Sequence, residues 1–109
     1  MYEANRNLKP WRDKCVVILR QRWDGLEPYD EPIRVNVTFH MPQPKRPKYP
    51  LPGVKPDLDK LQRALGDALT QSGLITDDSR ITTWQTTKRY SHTPGITIWA
   101  ITPDTGDQP

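Results

Sequence analysis

One cysteine, one phenylalanine and no long apolar run mark this 109-residue chain, and each scarcity excludes something. Cys15 has no second cysteine with which to close an internal disulfide, which suits a reducing cytoplasm. It lies in the run Cys15-Val16-Val17-Ile18-Leu19 and reads as a small core residue rather than a nucleophile. No apolar stretch is long enough to cross a membrane and no signal-peptide pattern opens the chain, so a cytoplasmic protein without membrane contact is expected. Apolar residues are only 34% of the sequence, so the core has to be economical, with the four tryptophans expected to supply much of it. The length suits one domain, drawn over residues 1–102, with a disordered tail over 103–109.

Charge is present in quantity and unevenly placed. The net charge is +3, but residues 1–56 hold 11 Lys/Arg against 6 Asp/Glu, whereas residues 57–109 hold 5 against 7. A basic half can hold phosphate and an acidic half can hold a cation, which together suit a metal-using enzyme of nucleic acid.

The periodicity predicts a first helix over residues 8–23, with Pro10 in its first turn, Gly25 just past its end and an apolar face of Trp11, Cys15, Ile18 and Leu19. Arg12, Arg20 and Arg22 are placed on its solvated flanks. Ile33–Met41 alternates as a strand, with Ile33, Val35, Val37, Phe39 and Met41 on one side and His40 on the polar side. Residues 42–56 hold six of the twelve prolines and can form neither a regular helix nor a central strand. This segment carries Lys45, Arg46, Lys48 and Lys55 with no acid, and proline stiffening presents those cations at low entropic cost. It is either a DNA-contacting loop or a solvated connector. A second helix is predicted over 57–72, with Leu58, Leu61, Leu65, Ala68 and Leu69 as its buried stripe and Gly73 as its stop. Two strands follow, Ile81–Tyr90 and Ile96–Thr102, with the turn at 91–95 between them and His92 exposed in it. The order is α-β-α-β-β, an α+β fold with two helices and a mixed, largely antiparallel sheet.

The informative segment is Pro56-Asp57-Leu58-Asp59-Lys60-Leu61-Gln62-Arg63, then Asp67, then Asp77-Asp78. Each acid has an ordinary explanation. Asp57 can cap the helix for about 1 kcal/mol, Asp59 can pair with Arg63 four residues on, and Asp77-Asp78 can be turn residues. Convergence of three aspartates needs something more. Two carboxylates about 4 Å apart repel by about 4 kcal/mol at an effective dielectric of about 20, which a cap does not offset and a divalent cation does. The spacing permits such convergence without requiring it.

Here the sequence resembles a known family. The pattern Asp57-Leu58-Asp59-Lys60-Leu61-Gln62-Arg63, then Asp67-Ala68-Leu69, Gly73 and Asp77-Asp78, is similar to that of the RusA family of Holliday junction resolvases. The likeness is strongest over residues 56–81, and Leu8-Lys9-Pro10-Trp11-Arg12 resembles the start of the family's first helix. The resemblance implies a homodimeric, Mg²⁺- or Mn²⁺-dependent endonuclease that nicks opposing strands of branched DNA in recombination and repair, in a phage or its bacterial host. It implies Asp57, Asp59 and Asp78 as catalytic metal-site residues, with Asp77 the lesser of its pair. Arg63 stands where the family has an essential lysine, and Lys60 replaces the usual asparagine and joins Lys45, Arg46, Lys48 and Lys55 as a DNA-binding candidate. The family order is β-α-β-α-β-β, and Met1–Arg6 is too short for its first strand. The competing readings are a non-catalytic binder of branched DNA and a small interaction module whose aspartates only cap. A PD-(D/E)xK nuclease is disfavoured because no (D/E)-x-K follows Asp57 at a workable distance.

Overall fold

The alternating run after Pro32 becomes the centre of the protein. The structure, a computed structural model, describes residues 4–107. Strand β1 (Ile33–Pro42) turns Ile33, Val35, Val37 and Phe39 to the helical side, where each is at most 1% exposed, while Arg34, Asn36, Thr38 and His40 line the opposite face. β1 lies between β2 (Ile81–Ser91), which runs parallel to it, and β3 (Gly95–Pro103), which runs antiparallel.

The fold is therefore α+β with two helices and a three-stranded mixed sheet. The two final strands, however, do not close a hairpin, because β1 lies between them. β1 carries the most deeply buried face in the sheet, and a central place gives its backbone a hydrogen-bonding neighbour on each side. Residues 92–94 step across its end, a gap of about 10 Å between strands two apart, within reach of a few extended residues at about 3.3 Å each. The parallel pairing of β1 with β2 requires a crossover, which is supplied by helix α2 (Leu58–Gln71) lying on the helical face.

In α2, Leu61, Leu65 and Leu69 recur at helical spacing and are buried with Ala64 and Ala68 against β1. Each leucine so buried contributes roughly 1.5–3 kcal/mol. The helix ends as the sequence predicts: Gly73 takes a φ of 87°, open to glycine, and the chain reverses.

Helix α1 (Ala4–Arg22) departs from expectation in three ways. It begins earlier, so Pro10 lies inside it rather than in the first turn, at the loss of one backbone hydrogen bond. Its buried side is rotated: Val16 is buried and Trp11, Cys15 and Leu19 are half-buried, whereas Ile18 is 47% exposed. Two of its arginines are not merely solvated. Arg12 pairs with Asp67 of α2 at 3.3 Å, and the Arg20 guanidinium donates to the Gln71 carbonyl at 2.9 Å, at the negative end of α2. Both contacts link α1 to α2. Trp11, Trp23 and Trp84 pack against the core, but Trp99 is 63% exposed, its indole N–H donating to Thr38 Oγ1 on the open sheet face.

Ordered contacts run past β3 into the segment expected to be a tail. Asp104 accepts hydrogen bonds from Thr82, Thr83, Arg34 and the Gly106 N–H, joining the ends of all three strands. Residues 108–109 lie outside the described residues, as do Met1–Glu3, and among the described residues no strand precedes α1. No described helix is long and apolar enough to cross a membrane.

Candidate active site

Helix α2 has a second face. Asp59, Gln62, Arg63 and Gly66 follow at i, i+3, i+4 and i+7, and so share one side of the helix. Opposite them stand Asp78, Ile81 and Trp84, where the chain enters β2. Together these seven residues line a cavity of about 210 Å³. Asp59, Asp78 and Arg63, predicted from the sequence, are brought to one place.

The segment that carries Asp78 is held from several directions. The Tyr29 N–H donates to the Leu74 carbonyl at 2.9 Å, and the Thr76 N–H donates back to Tyr29 at 3.0 Å. Asp30 accepts from the Thr76 hydroxyl at 2.6 Å and from Arg80 at 3.0 Å, and these bonds hold its carboxyl below the usual range. Asp77 accepts from the Ser79 N–H at 3.0 Å and caps the short 3-10 turn Asp78–Arg80, which likewise lowers its pKa. The adjacent aspartates thus divide the labour: Asp77 caps, and Asp78 faces the cavity. Gly66 lies where the two walls meet: a Cβ there would sit in ordinary contact, 3.6 Å from the Asp78 Cβ and 3.8 Å from the Trp84 ring.

Hydrogen bonding separates the aspartates. Asp13, Asp30, Asp67, Asp77, Asp104 and Asp107 all accept from side chains or backbone. Among the described residues Asp57, Asp59 and Asp78 accept from no side chain and form no ion pair, a state shared only by Asp24. The ordinary explanations for the first two are not realised. Asp57 occupies the N-cap of α2 with extended backbone, yet its carboxylate makes no capping bond. Asp59 forms no ion pair with Arg63, whose guanidinium is unpaired among the described residues.

Asp57 is not among the residues lining the cavity. It neighbours Lys88, a residue that sequence reasoning missed. Lys88 projects from β2 on the helical side and donates to the Val54 and Pro56 carbonyls, each at 2.8 Å. Burial lowers its pKa, and the charge of Asp57 opposes that shift. Among the described residues no group of three or more His, Cys, Asp or Glu side chains is arranged to hold a metal ion. The spacing that permitted three converging aspartates yields a facing pair, Asp59 and Asp78, with Asp57 at the adjacent helix start.

The residues missed left faint signals. Gly66 is a glycine inside an otherwise strong helical run, where it is about 1 kcal/mol less favourable than alanine. Lys88 shares the strand phase of Trp84 and Thr86, the inward one, and Thr86 donates to Gln62 Oε1. Lys45, Arg46, Lys48 and Lys55 are all exposed on the proline-rich loop that leads into Asp57, with the Lys48 ammonium 5.5 Å from the Tyr49 ring centroid; Lys60 is half-buried on α2. His40 is hydrogen-bonded to Thr97 at 2.7 Å on the open face, away from the cavity. A larger cleft of about 510 Å³ between α1 and the sheet is apolar and offers no carboxylate. Burial pushes the Cys15 thiol beside it up to about 11, which leaves it protonated and unreactive at neutral pH.

Over residues 1–100 the chain matches the family model described as Endodeoxyribonuclease RusA. The chain belongs to the RusA family. No curated protein matches it well enough to count as a relative. RusA-family proteins are endonucleases that resolve Holliday junctions, so membership supplies the reaction class and the branched-DNA substrate. The RusA motif read from the sequence, from Asp57 to Asp78, is the stretch that supplies the cavity's acids and its arginine.

Proposed function

We propose that this RusA-family chain resolves four-way DNA junctions by divalent-metal-dependent nicking, with Asp59 and Asp78 as the principal Mg²⁺ ligands and Asp57 assisting beside them. The observation that carries the proposal is the pair of carboxylates, without a hydrogen-bonding partner among the described residues, that line one 210 Å³ cavity together with Arg63. Two hard oxygen donors on facing elements fit Mg²⁺, which keeps several waters and takes one or two carboxylates together with phosphate. When bound, the cation would supply charge neutralisation at the phosphate and an activated water; Mn²⁺ would serve the same donors.

The chain's own residues do the rest. Arg63 presents a planar fork that matches two phosphate oxygens and stays protonated, so its contribution is electrostatic. Lys45, Arg46, Lys48 and Lys55 hold the DNA backbone through a stiffened loop, and Lys60 adds charge on α2. Two opposed nicks need two sites related by an approximate two-fold axis, so the working form is a homodimer. Its setting is the cytoplasm of a bacterial or phage-infected cell, where recombination and repair intermediates are processed.

The test is a labelled four-way junction incubated with and without Mg²⁺, with the nicks mapped. Paired nicks appear with metal and vanish in Asp59→Asn and Asp78→Asn, while junction binding in EDTA survives in both. Asp57→Asn is strongly impaired and Asp77→Asn much less so. Binding without nicks at any metal concentration would make the chain a non-catalytic junction binder and would overturn the proposal.

A further inference from the structure

Lys88 is a charged side chain on the helical side of β2, where its in-register neighbour on β1 is Phe39, 1% exposed. It is not among the residues lining the cavity. An ammonium has three N–H donors, and two of them are used on carbonyls that immediately precede the acidic motif, Val54 and Pro56, at 2.8 Å each. Pro56 is buried, and the next carbonyl, that of Asp57, accepts the N–H groups of Lys60 and Leu61 at 3.1 Å each to begin α2. The path from Lys88 to the first turn of α2 is therefore one short run of backbone. Among the described residues, none donates a hydrogen bond to the Asp57 side chain that could fix it. Its place depends on the backbone that Lys88 grips.

We propose that Lys88 is a positioning residue of the nuclease: by binding the Val54 and Pro56 carbonyls it staples the end of the cationic proline-rich loop to β2 and sets Asp57 beside the Asp59–Asp78 cavity. The proposal rests on the metal-site reading above. It makes Lys88 a support for a ligand rather than a contact of the phosphate, and it couples the DNA-holding loop to the metal site through one side chain.

The test uses Lys88→Met, which keeps the aliphatic stem and removes the donors, and Lys88→Arg, which restores charge and donors. Two readouts are taken on the full chain: hydrogen exchange over residues 53–61 without metal, and Mn²⁺ binding by calorimetry without DNA. Lys88→Met speeds exchange over 53–61 and weakens Mn²⁺ binding about tenfold, the scale of losing a group that orients a ligand. Lys88→Arg recovers part of both. The sign is decisive, because removing a positive charge near carboxylates would by electrostatics alone tighten cation binding. Unchanged exchange in Lys88→Met, or Mn²⁺ binding that is equal or tighter, overturns the proposal. If Lys88→Met fails to fold, Lys88→Arg decides: faster exchange over 53–61 together with weaker Mn²⁺ binding supports the staple, and Mn²⁺ affinity equal to or tighter than wild type overturns it. A wild-type chain that neither binds Mn²⁺ nor nicks junctions refutes the metal-site reading instead, and the exchange comparison still shows whether Lys88 holds the loop.

Discussion

Replacing Gly66 by alanine should make the protein more stable and a worse nuclease. Gly66 is buried in the interior of α2, where glycine is about 1 kcal/mol less favourable than alanine because it gives up more backbone freedom on folding. The added methyl would meet the Asp78 Cβ at 3.6 Å, the Trp84 ring at 3.8 Å and Ile81 Cδ1 at 3.9 Å, all ordinary van der Waals distances. No neighbour has to move, so the helix gain is kept, and the melting temperature should rise by roughly 4–8 °C, the shift expected per kcal/mol in a domain of about this size. The same methyl enters the cavity between Asp59 and Asp78. Small displacements of reacting groups cost up to about 100-fold in rate, so nicking should fall by at least about tenfold in kcat while junction binding in EDTA is unchanged. Thermal melts and single-turnover cleavage of a labelled junction measure both. A higher melting temperature with unaltered cleavage would show that the scissile phosphate does not sit at this cavity. A lower one would show that α2 cannot accept the methyl where it stands.

Arg63→Ala should be severely impaired and Arg63→Lys active, since the role left to a permanently charged side chain is electrostatic; an active alanine variant would transfer that role to another cation such as Lys60. Junction affinity should fall steeply with salt, and replacing Lys45, Arg46, Lys48 and Lys55 by alanine together should flatten the log–log slope by roughly 0.9 for each phosphate that is no longer neutralised. An unchanged slope would remove the loop from the interface. Asp104 supplies a pH test: hydrogen bonds from Thr83, Thr82 and the Gly106 N–H, with Arg34 behind them, hold its carboxyl well below the usual range. A depressed folded-state pKa gives stability that is present above the unfolded value near about 3.9 and is lost as pH falls below it. Melting temperature should therefore hold between pH 7 and 5 and drop below about pH 4, and Asp104→Asn should lower the plateau and shallow the drop; a parallel profile in the variant would refute the assignment.

Periodic features were legible in the sequence. β1 and α2 fall where alternation and helical spacing put them because each has one strongly apolar face, and the two late strands because β-branched and aromatic residues fill them on either side of the turn at 91–95. What escaped was pairing. Nothing local in Ile81–Ser91 or Gly95–Pro103 says that β1 will lie between them, since that choice is made by the only strand with four fully buried side chains. The rotation of α1 escaped for a similar reason. Val16, Val17 and Ile18 are equally apolar, and which of them turns inward is set by long-range packing, in which Trp11 and Leu19 meet the core and Arg12 reaches Asp67. At the site, the motif gave Asp59, Asp78 and Arg63, but Lys88 carries no motif. Its hydrogen bond goes to Pro56, 32 residues earlier in the chain, which no local pattern announces.

The position of the cavity follows from the same division of α2. A helix that buries Leu61, Leu65 and Leu69 on one side has a neighbouring side free for polar groups, and here that side meets the point where the chain enters β2. The core therefore fixes the backbone of both walls while none of the three motif aspartates is buried. Under the proposed metal role, these carboxylates cannot be taken out of water without large cost, yet they have to be held in place. Building them on the flank of a helix whose other face is the hydrophobic core meets both demands. It also explains why Asp77 and Asp30, rather than Asp78, accept the hydrogen bonds of the connecting segment: these second carboxylates order the backbone, and Asp78 is left free for a ligand.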